Sequence, residues 1–337
     1  MRIAFIAPFY YPAQSGNAVT VRRIAAELER LGCAVEVFSI DQFSSEELVE
    51  RLKRFRPDFL HAFHAYRGGR MAHALARELR LPFLITLTGT DVYQSLIDQH
   101  AFITREALQG AVRLVAFHPS IKRRVAEQLP TVEDRIVVIP QGVPIPEKTV
   151  SDRKPAEVVF LLPAGVRRVK NVLFPLKPLA ELYQREPGIR FELVGPVLDP
   201  EYAVEVLDAM ESCPFAHYQG GVRHDEMTEL YRDADIVINC SLFEGGMANA
   251  VLEGMAYGKA LLVSDIEGNR SLIEDGVTGL LYRDAAEFVE KAQRLVTDPR
   301  LREQLGQAAR TLVQTKYPPE QEGRAYYELY REILGKP

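Results

Sequence analysis

Short apolar runs, each followed by an amphipathic stretch of helical length, recur along this chain, and that rhythm restricts the fold more than any other feature. Strand-like runs fall at 3–7, 34–40, 59–63, 83–87, 114–117 and 136–139, with helical patterns at 19–31, 46–55, 71–79, 105–110 and 121–129 between them. Pro140, Pro144, Pro146 and Pro155, with charged residues among them, then break the pattern in the manner of a linker. The rhythm resumes with strands at 158–162, 191–194, 215–218, 236–239 and 260–264. Helices are expected at 172–185, 201–211, 226–232, 249–257, 285–296 and 300–315, and a last amphipathic segment covers 319–334. Alternating strands and helices predict parallel sheets covered on both faces. The fold class is therefore α/β, with two Rossmann-like domains: 1–145, a linker at 146–157, 158–316, and a C-terminal helix at 317–337 returning to the first domain. In such sheets ligands lie at the carboxyl ends of strands, so the cleft between the two halves is the expected site.

The totals agree with this reading. A chain of 337 residues exceeds what one core usually supports. Residues 1–150 carry 19 basic and 16 acidic side chains, and the remainder 22 and 30. The mildly basic first half suits an acidic acceptor or a membrane surface but is too weakly charged for nucleic-acid binding. Cys33, Cys213 and Cys240 match no zinc or redox spacing and read as small apolar residues in a reducing cytoplasm. The start reads as a first strand broken by Pro8 rather than a signal peptide. No apolar run approaches the ~20 residues of a spanning helix, so membrane contact is at most peripheral.

Three strand ends carry chemistry. The apolar run 236–240 leads into Ser241-Leu-Phe-Glu244-Gly-Gly-Met-Ala-Asn249 and then a nearly all-apolar helix containing Glu253. Loop amides and a helix start converge there on an anion. Carboxylates beside an anion site suit hydroxyl groups, which points to a phosphorylated sugar or nucleotide sugar. After the first strand, Phe9 to Asn17 include Gly16, where backbone approaches a ligand closely. After the first strand of the second half, Gly165, Arg167, Arg168 and Lys170 offer a planar fork and a point charge for phosphate.

Other patterns fail. The segment from Gly254 to Lys259 is one residue short of a phosphate loop and lacks the hydroxyl that would hold magnesium. Asp233-Ala-Asp235 has a metal-site form but sits where acids end a helix before a buried strand. His61 and His64, at a strand end, would point to opposite faces. No dinucleotide fingerprint follows the first strand.

In these residues the chain resembles the family 4 glycosyltransferases of the two-domain GT-B fold. Beside the motifs above, the resemblance rests on Val138 to Val143, Phe191 to Gly195, Ala260 to Asp265 and Gly276 to Gly279. It implies that Arg167 and Lys170 hold the donor diphosphate, Glu253 the ribose and Glu244 the donor sugar. Gly16, Asn17, Gly165, Arg168, Gly195, Gly245, Gly246, Met247, Ala248, Asn249 and Ala250 would line the donor. Thr88, Gly89, Asp91 and His118 would lie on the acceptor or sugar side. Glu244 and Glu253 stand one residue farther apart than is usual in the family, and Arg167 and Lys170 closer together. Thr88 lies where many members have a histidine before the glycine. Features around Thr88–Asp91 and Glu244–Gly246 also resemble a branch containing selenosugar synthases, which points to a small acceptor.

The resemblance implies a retaining transferase moving a sugar, from a UDP-sugar, to a small-molecule, glycan or lipid acceptor, with no cofactor and no metal. The alternatives are a sugar-nucleotide epimerase on the same fold and a non-catalytic nucleotide-sugar sensor. Turnover of donor alone separates the first, and donor binding without release of UDP the second.

Overall fold

A computed structural model describes residues 1–8, 10, 16–149, 157–223 and 226–336. Most of the loop expected at Phe9–Asn17 (residue 9 and residues 11–15) and residues 150–156 of the expected linker lie outside the described set. The chain divides into two units, one of residues 1–142, 245–247 and 319–337, the other of 143–244 and 248–318.

The first unit holds a six-stranded parallel sheet of β1 (Arg2–Ala7), β2 (Ala34–Ser39), β3 (Phe59–Phe63), β4 (Phe83–Thr86), β5 (Arg113–Ala116) and β6 (Ile136–Val138). Its order is β2-β1-β3-β4-β5-β6, so the sequence direction reverses between β1 and β3. The helices are α1 (Gly16–Arg30), α2 (Ser45–Phe55), α3 (Arg70–Leu79), α4 (Thr90–Tyr93), α5 (Ala101–Gly110) and α6 (Pro119–Gln128). Successive side chains of a strand face opposite ways, and β1 is apolar on both. Ile3, Phe5 and Ala7 pack with α1, while Ala4 and Ile6 enter the core with Leu48 and Leu52 of α2. Ser44 and Glu47 close a capping box at the start of α2.

The second unit carries β7 (Val158–Pro163), β8 (Ile189–Val194), β9 (Ala216–Tyr218), β10 (Ile236–Asn239), β11 (Ala260–Ser264) and β12 (Leu280–Tyr282), all parallel, in the order β12-β11-β10-β7-β8-β9. The reversal here lies between β7 and β10, where Phe160 pairs with Ile236 and Leu161 with Val237. Its helices are α7 (Leu176–Tyr183), α8 (Pro200–Glu211), α9 (Met227–Asp233), α10 (Asn249–Ala256), α11 (Glu267–Arg270), α12 (Ala285–Thr297) and α13 (Pro299–Lys316). Asp199 and Asp298 cap α8 and α13, each followed by a proline at the first helical position, where the missing N–H has no partner to lose.

The chain ends in α14 (Pro319–Ile333), which packs in the first unit on α1. Arg23 of α1 and Glu322 of α14 form an ion pair at 2.7 Å with side chains only 7% and 1% exposed. Arg23 also donates to Gln141 Oε1 at 2.9 Å. Tyr330 and Thr86 contact the two ring nitrogens of His61, each at 2.7 Å, and Tyr326 reaches Thr86 at 3.0 Å. Burial pushes the His61 imidazole well below its ordinary range, so it stays neutral.

The sequence rhythm located eleven of these strands and missed β12, a three-residue run too short to show periodicity. It also missed α4, α11 and a π-helical turn at His64–Gly69. The helix expected at 172–185 begins at Leu176, because Pro175 favours a helix start and biases Phe174 away from helical geometry. His61 lies within β3 rather than at its end.

Removing Glu322 would take from the buried Arg23 guanidinium the carboxylate that meets it at 2.7 Å. Glu322→Ala is expected to destabilise the first unit by about 3–5 kcal/mol, read as a lower urea midpoint with an unchanged m value. A loss below about 1 kcal/mol, the size of a surface pair, would show that the pair is not a buried constraint.

Candidate active site

In an open parallel sheet, the loops on either side of the order reversal leave a crevice at the carboxyl ends of the strands. In the second unit these are the loops after β7 and β10. They are joined by a backbone hydrogen bond, with Leu242 N donating to Val169 O at 2.9 Å. The β7 loop is also in direct backbone contact with the β8 loop. A Cβ on Gly195, which has φ +156°, would fall 2.2 Å from Ala164 O, so only glycine fits. The loop then turns through Arg168–Lys170 and ends at Asn171, left-handed at φ 50°, a conformation asparagine tolerates.

This geometry brings Lys170 onto Glu244. Lys170 Nζ lies 2.5 Å from Glu244 Oε1, with side chains 19% and 11% exposed. Ser241 Oγ donates to the same oxygen at 2.6 Å and Asn239 Nδ2 at 3.3 Å. Burial pushes the Glu244 carboxyl up, but the Lys170 ammonium and the three donors outweigh it and hold the acid below its ordinary range. Glu244 is therefore an ionised, partly buried carboxylate, and Lys170, Ser241 and Asn239 all donate to its Oε1.

Five residues farther on, α10 starts at Asn249 with Ala248 in the cap position and no side-chain cap bond. Helix starts leave backbone N–H groups without partners inside the helix, and these favour anions. Glu253 lies one turn along, on the same side of the helix as Asn249. It accepts a hydrogen bond from Tyr231 Oη at 2.8 Å, and Tyr231, buried, stacks on Tyr257 at 5.1 Å. Gly165 and Arg167 lie in the β7 loop and Ala250 in the first turn of α10.

Arg168 goes elsewhere. Its exposed guanidinium lies over the Tyr202 ring, donates to Glu205 at 2.7 Å and approaches Asp199 at 3.7 Å. These partners lie on and before α8, so Arg168 is drawn to them and not to Glu244, unlike Lys170.

The remaining candidates belong to the first unit. Gly16 and Asn17 open α1. Asp91 is 0% exposed, and its oxygens accept from the backbone N–H groups of Ala65, Thr88 and Gly89 at 2.7–3.1 Å. In this structure the carboxylate holds backbone together, with its oxygens turned to amides of the chain. Gly89 has φ +120° and the Thr88 hydroxyl is buried. His118 caps α6, its Nδ1 accepting from Ser120 N at 3.2 Å. Gly245 rests on Gly89, where a Cβ would fall 2.1 Å from Gly89 Cα, and Gly246 has φ +104°. Met247 accepts a hydrogen bond at its carbonyl from the Gln141 side chain.

Sequence reasoning missed Asn239, Tyr231 and Asn269. The signal for Asn239 was present, a polar residue closing the apolar run Ile236-Val-Ile. Nothing local marked the other two. Asp235 Oδ2 accepts from Val159 N at 2.9 Å and ties β10 to β7. Among the described residues, no group of three or more His, Cys, Asp and Glu side chains could hold a metal ion, and no helix is long and apolar enough to cross a membrane.

Lys170→Ala would leave Glu244 buried without its cation. In the intact protein the lowered pKa of Glu244 contributes stability that is present above the unfolded value, near 4.5, and lost as pH falls through the folded value. In the variant burial raises the acid instead, so charging it above that pH costs stability. The stability difference between the two proteins is expected to be largest near neutrality, about 3–5 kcal/mol, and to shrink as pH falls, first as the variant's raised acid protonates above 4.5 and then as the intact protein's lowered one does below it. Denaturation at several pH values tests this, and a pH-independent difference would contradict it.

Comparison with known proteins agrees with this geometry. Residues 157–298 match the family described as Glycosyl transferases group 1, and residues 39–146 match Glycosyltransferase Family 4. The chain is 27% identical over 344 residues to glycosyltransferase 1 domain-containing protein 1 of Xenopus tropicalis, covering 98% of this chain and 97% of that protein. Among solved structures, sucrose-phosphate synthase from Thermosynechococcus elongatus superposes with a TM-score of 0.82 at 16% identity, covering 99% of each chain. HepE from Anabaena, in complex with UDP and glucose, gives 0.80 at 16% identity, covering 98% of this chain and 100% of that one. With two six-stranded parallel sheets, and with sequence matches that extend over both units, the chain belongs to the family 4 glycosyltransferases and is an enzyme of the GT-B fold.

Proposed function

We propose that this enzyme transfers a sugar from a UDP-sugar, with retention of anomeric configuration and without a metal ion. The observation that carries the reading is the meeting of Lys170 and Glu244 where the sheet order reverses, ahead of the start of α10. Cleavage of a nucleotide sugar places charge on the departing diphosphate. Lys170, Arg167 and the α10 amides would stabilise that charge, and one such donor is typically worth about 3 kcal/mol. The relative complexed with UDP and glucose supports the choice of nucleotide.

The two carboxylates would then divide the ligand. Glu253, inside the helix whose start receives the phosphate, would accept from ribose hydroxyls. Glu244, on the strand side, would accept from the sugar through Oε2 while Oε1 is held by its three donors. The acceptor would be a small molecule, glycan or lipid bound mainly by the first unit.

Calorimetric titration tests the division. Glu253→Gln is expected to weaken UDP and UDP-glucose alike, by about 1.5–3 kcal/mol, whereas Glu244→Gln should bind UDP nearly as well as the parent protein and lose sugar transfer. Equal loss of UDP affinity in both variants would overturn the assignment. Separately, UDP release should survive excess EDTA. A complete loss restored by magnesium or manganese would put a metal into the reaction.

A further inference from the structure

Behind the Lys170–Glu244 pair lies a layer of polar side chains that the proposed chemistry does not use. Asn239, at the end of β10, is 5% exposed, and Asn269, in α11, is 0% exposed. Asn239 donates from Nδ2 to Glu244 Oε1 at 3.3 Å and accepts at Oδ1 from Ser241 N at 3.1 Å. Asn269 Nδ2 reaches Asn239 Oδ1 at 3.3 Å, Ser264 O at 2.9 Å and Ser264 Oγ at 3.1 Å. Ser264 Oγ donates in turn to Ser241 O at 2.8 Å. The network therefore closes around Ser241, whose own hydroxyl donates to Glu244.

The partners settle how the amides are turned. Reversing Asn269 would set its oxygen against three other oxygens. In the orientation observed, its Oδ1 is buried with no hydrogen-bond partner. An orphaned buried carbonyl is destabilising, and a leucine of similar shape would fill the place without that penalty. Packing therefore does not account for an amide here. What the amide supplies is an NH2 group that holds Ser264 and also fixes Asn239 Oδ1, and so turns Asn239 Nδ2 toward Glu244. The two bonds at 3.3 Å are long, so they give direction more than strength.

We propose that Asn239 and Asn269 are positioning residues that orient Glu244, holding its Oε1 beside Lys170 so that Oε2 faces the sugar. This rests on the reading of Glu244 given above. Lys170, from the β7 loop, is the charged group facing this carboxylate. Asn239 and Ser241 face it from β10 and the following loop, and Asn269 adds no charge from α11.

Two variants test the relay. Asn269→Leu keeps the shape and removes the fixing NH2 group. Asn239→Asp keeps the acceptor for Ser241 N but sets a second carboxylate against Glu244. In ligand-free protein, carbon-13 NMR can follow the titration of the Glu244 carboxyl, assigned by its loss in Glu244→Gln. Proton affinity at Glu244 is expected to rise about 3-fold or more in Asn269→Leu and about 10-fold or more in Asn239→Asp. Hydrolysis of UDP-glucose should fall about 10-fold in kcat in both, with the Kd for UDP within about twofold of the parent. An unchanged Glu244 titration in both variants overturns the relay, and so does a loss of UDP affinity as large as the loss in kcat, which marks general loosening. Full UDP-glucose turnover in Glu244→Gln would instead refute the role of Glu244, while the NMR titration still judges the relay. If Asn269→Leu does not fold, Asn239→Asp decides alone.

Discussion

The candidate site depends on one ion pair. Lys170 and Glu244 are 74 residues apart and are brought together because β7 and β10 are adjacent in the sheet while the connections between them run elsewhere. A mostly buried pair of this kind contributes little net stability, since removing two charges from water costs nearly as much as their attraction returns. Its value lies in placement. It fixes a cation and an ionised carboxylate at the crevice of the sheet, where an anion and a hydroxyl-bearing group can meet them.

The surroundings keep the pair in its charged form. Desolvation alone would favour a protonated Glu244, and Ser241 and Asn239 supply the donors that reverse that preference together with Lys170. Low local dielectric strengthens such hydrogen bonds and equally raises the cost of any left unmade. The orphaned Asn269 carbonyl is a cost of the second kind, accepted next to benefits of the first. At Glu253 the donor is Tyr231, itself anchored by burial and by its stack on Tyr257.

The first unit uses buried polarity differently. Glu322, Arg23, Gln141 and Met247 form a continuous chain of hydrogen bonds from α14 to the Gly245–Met247 segment. Asp91 organises the loop after β4 in the same way, through backbone amides. These charges hold backbone in place. Nothing in their sequence neighbourhood separates them from ligand-facing residues, because an isolated aspartate or glutamate reads the same in either role.

The amino-acid sequence by itself determined the alternation of strands and helices, two units of α/β type, and the family. It also marked the loops that carry Lys170, Glu244 and Asn249, since apolar periodicity and small-residue loops at strand ends are local patterns. It did not reveal β12, too short for any period, or the π-helical turn at His64–Gly69. Tertiary structure alone decided that Arg168 turns to Glu205, that Asp91 is buried against backbone amides, and that Asn269 stands behind Glu244. Each of these depends on which strands become neighbours and which partner lies within hydrogen-bonding reach, and a one-dimensional pattern carries no distances between residues far apart in the chain.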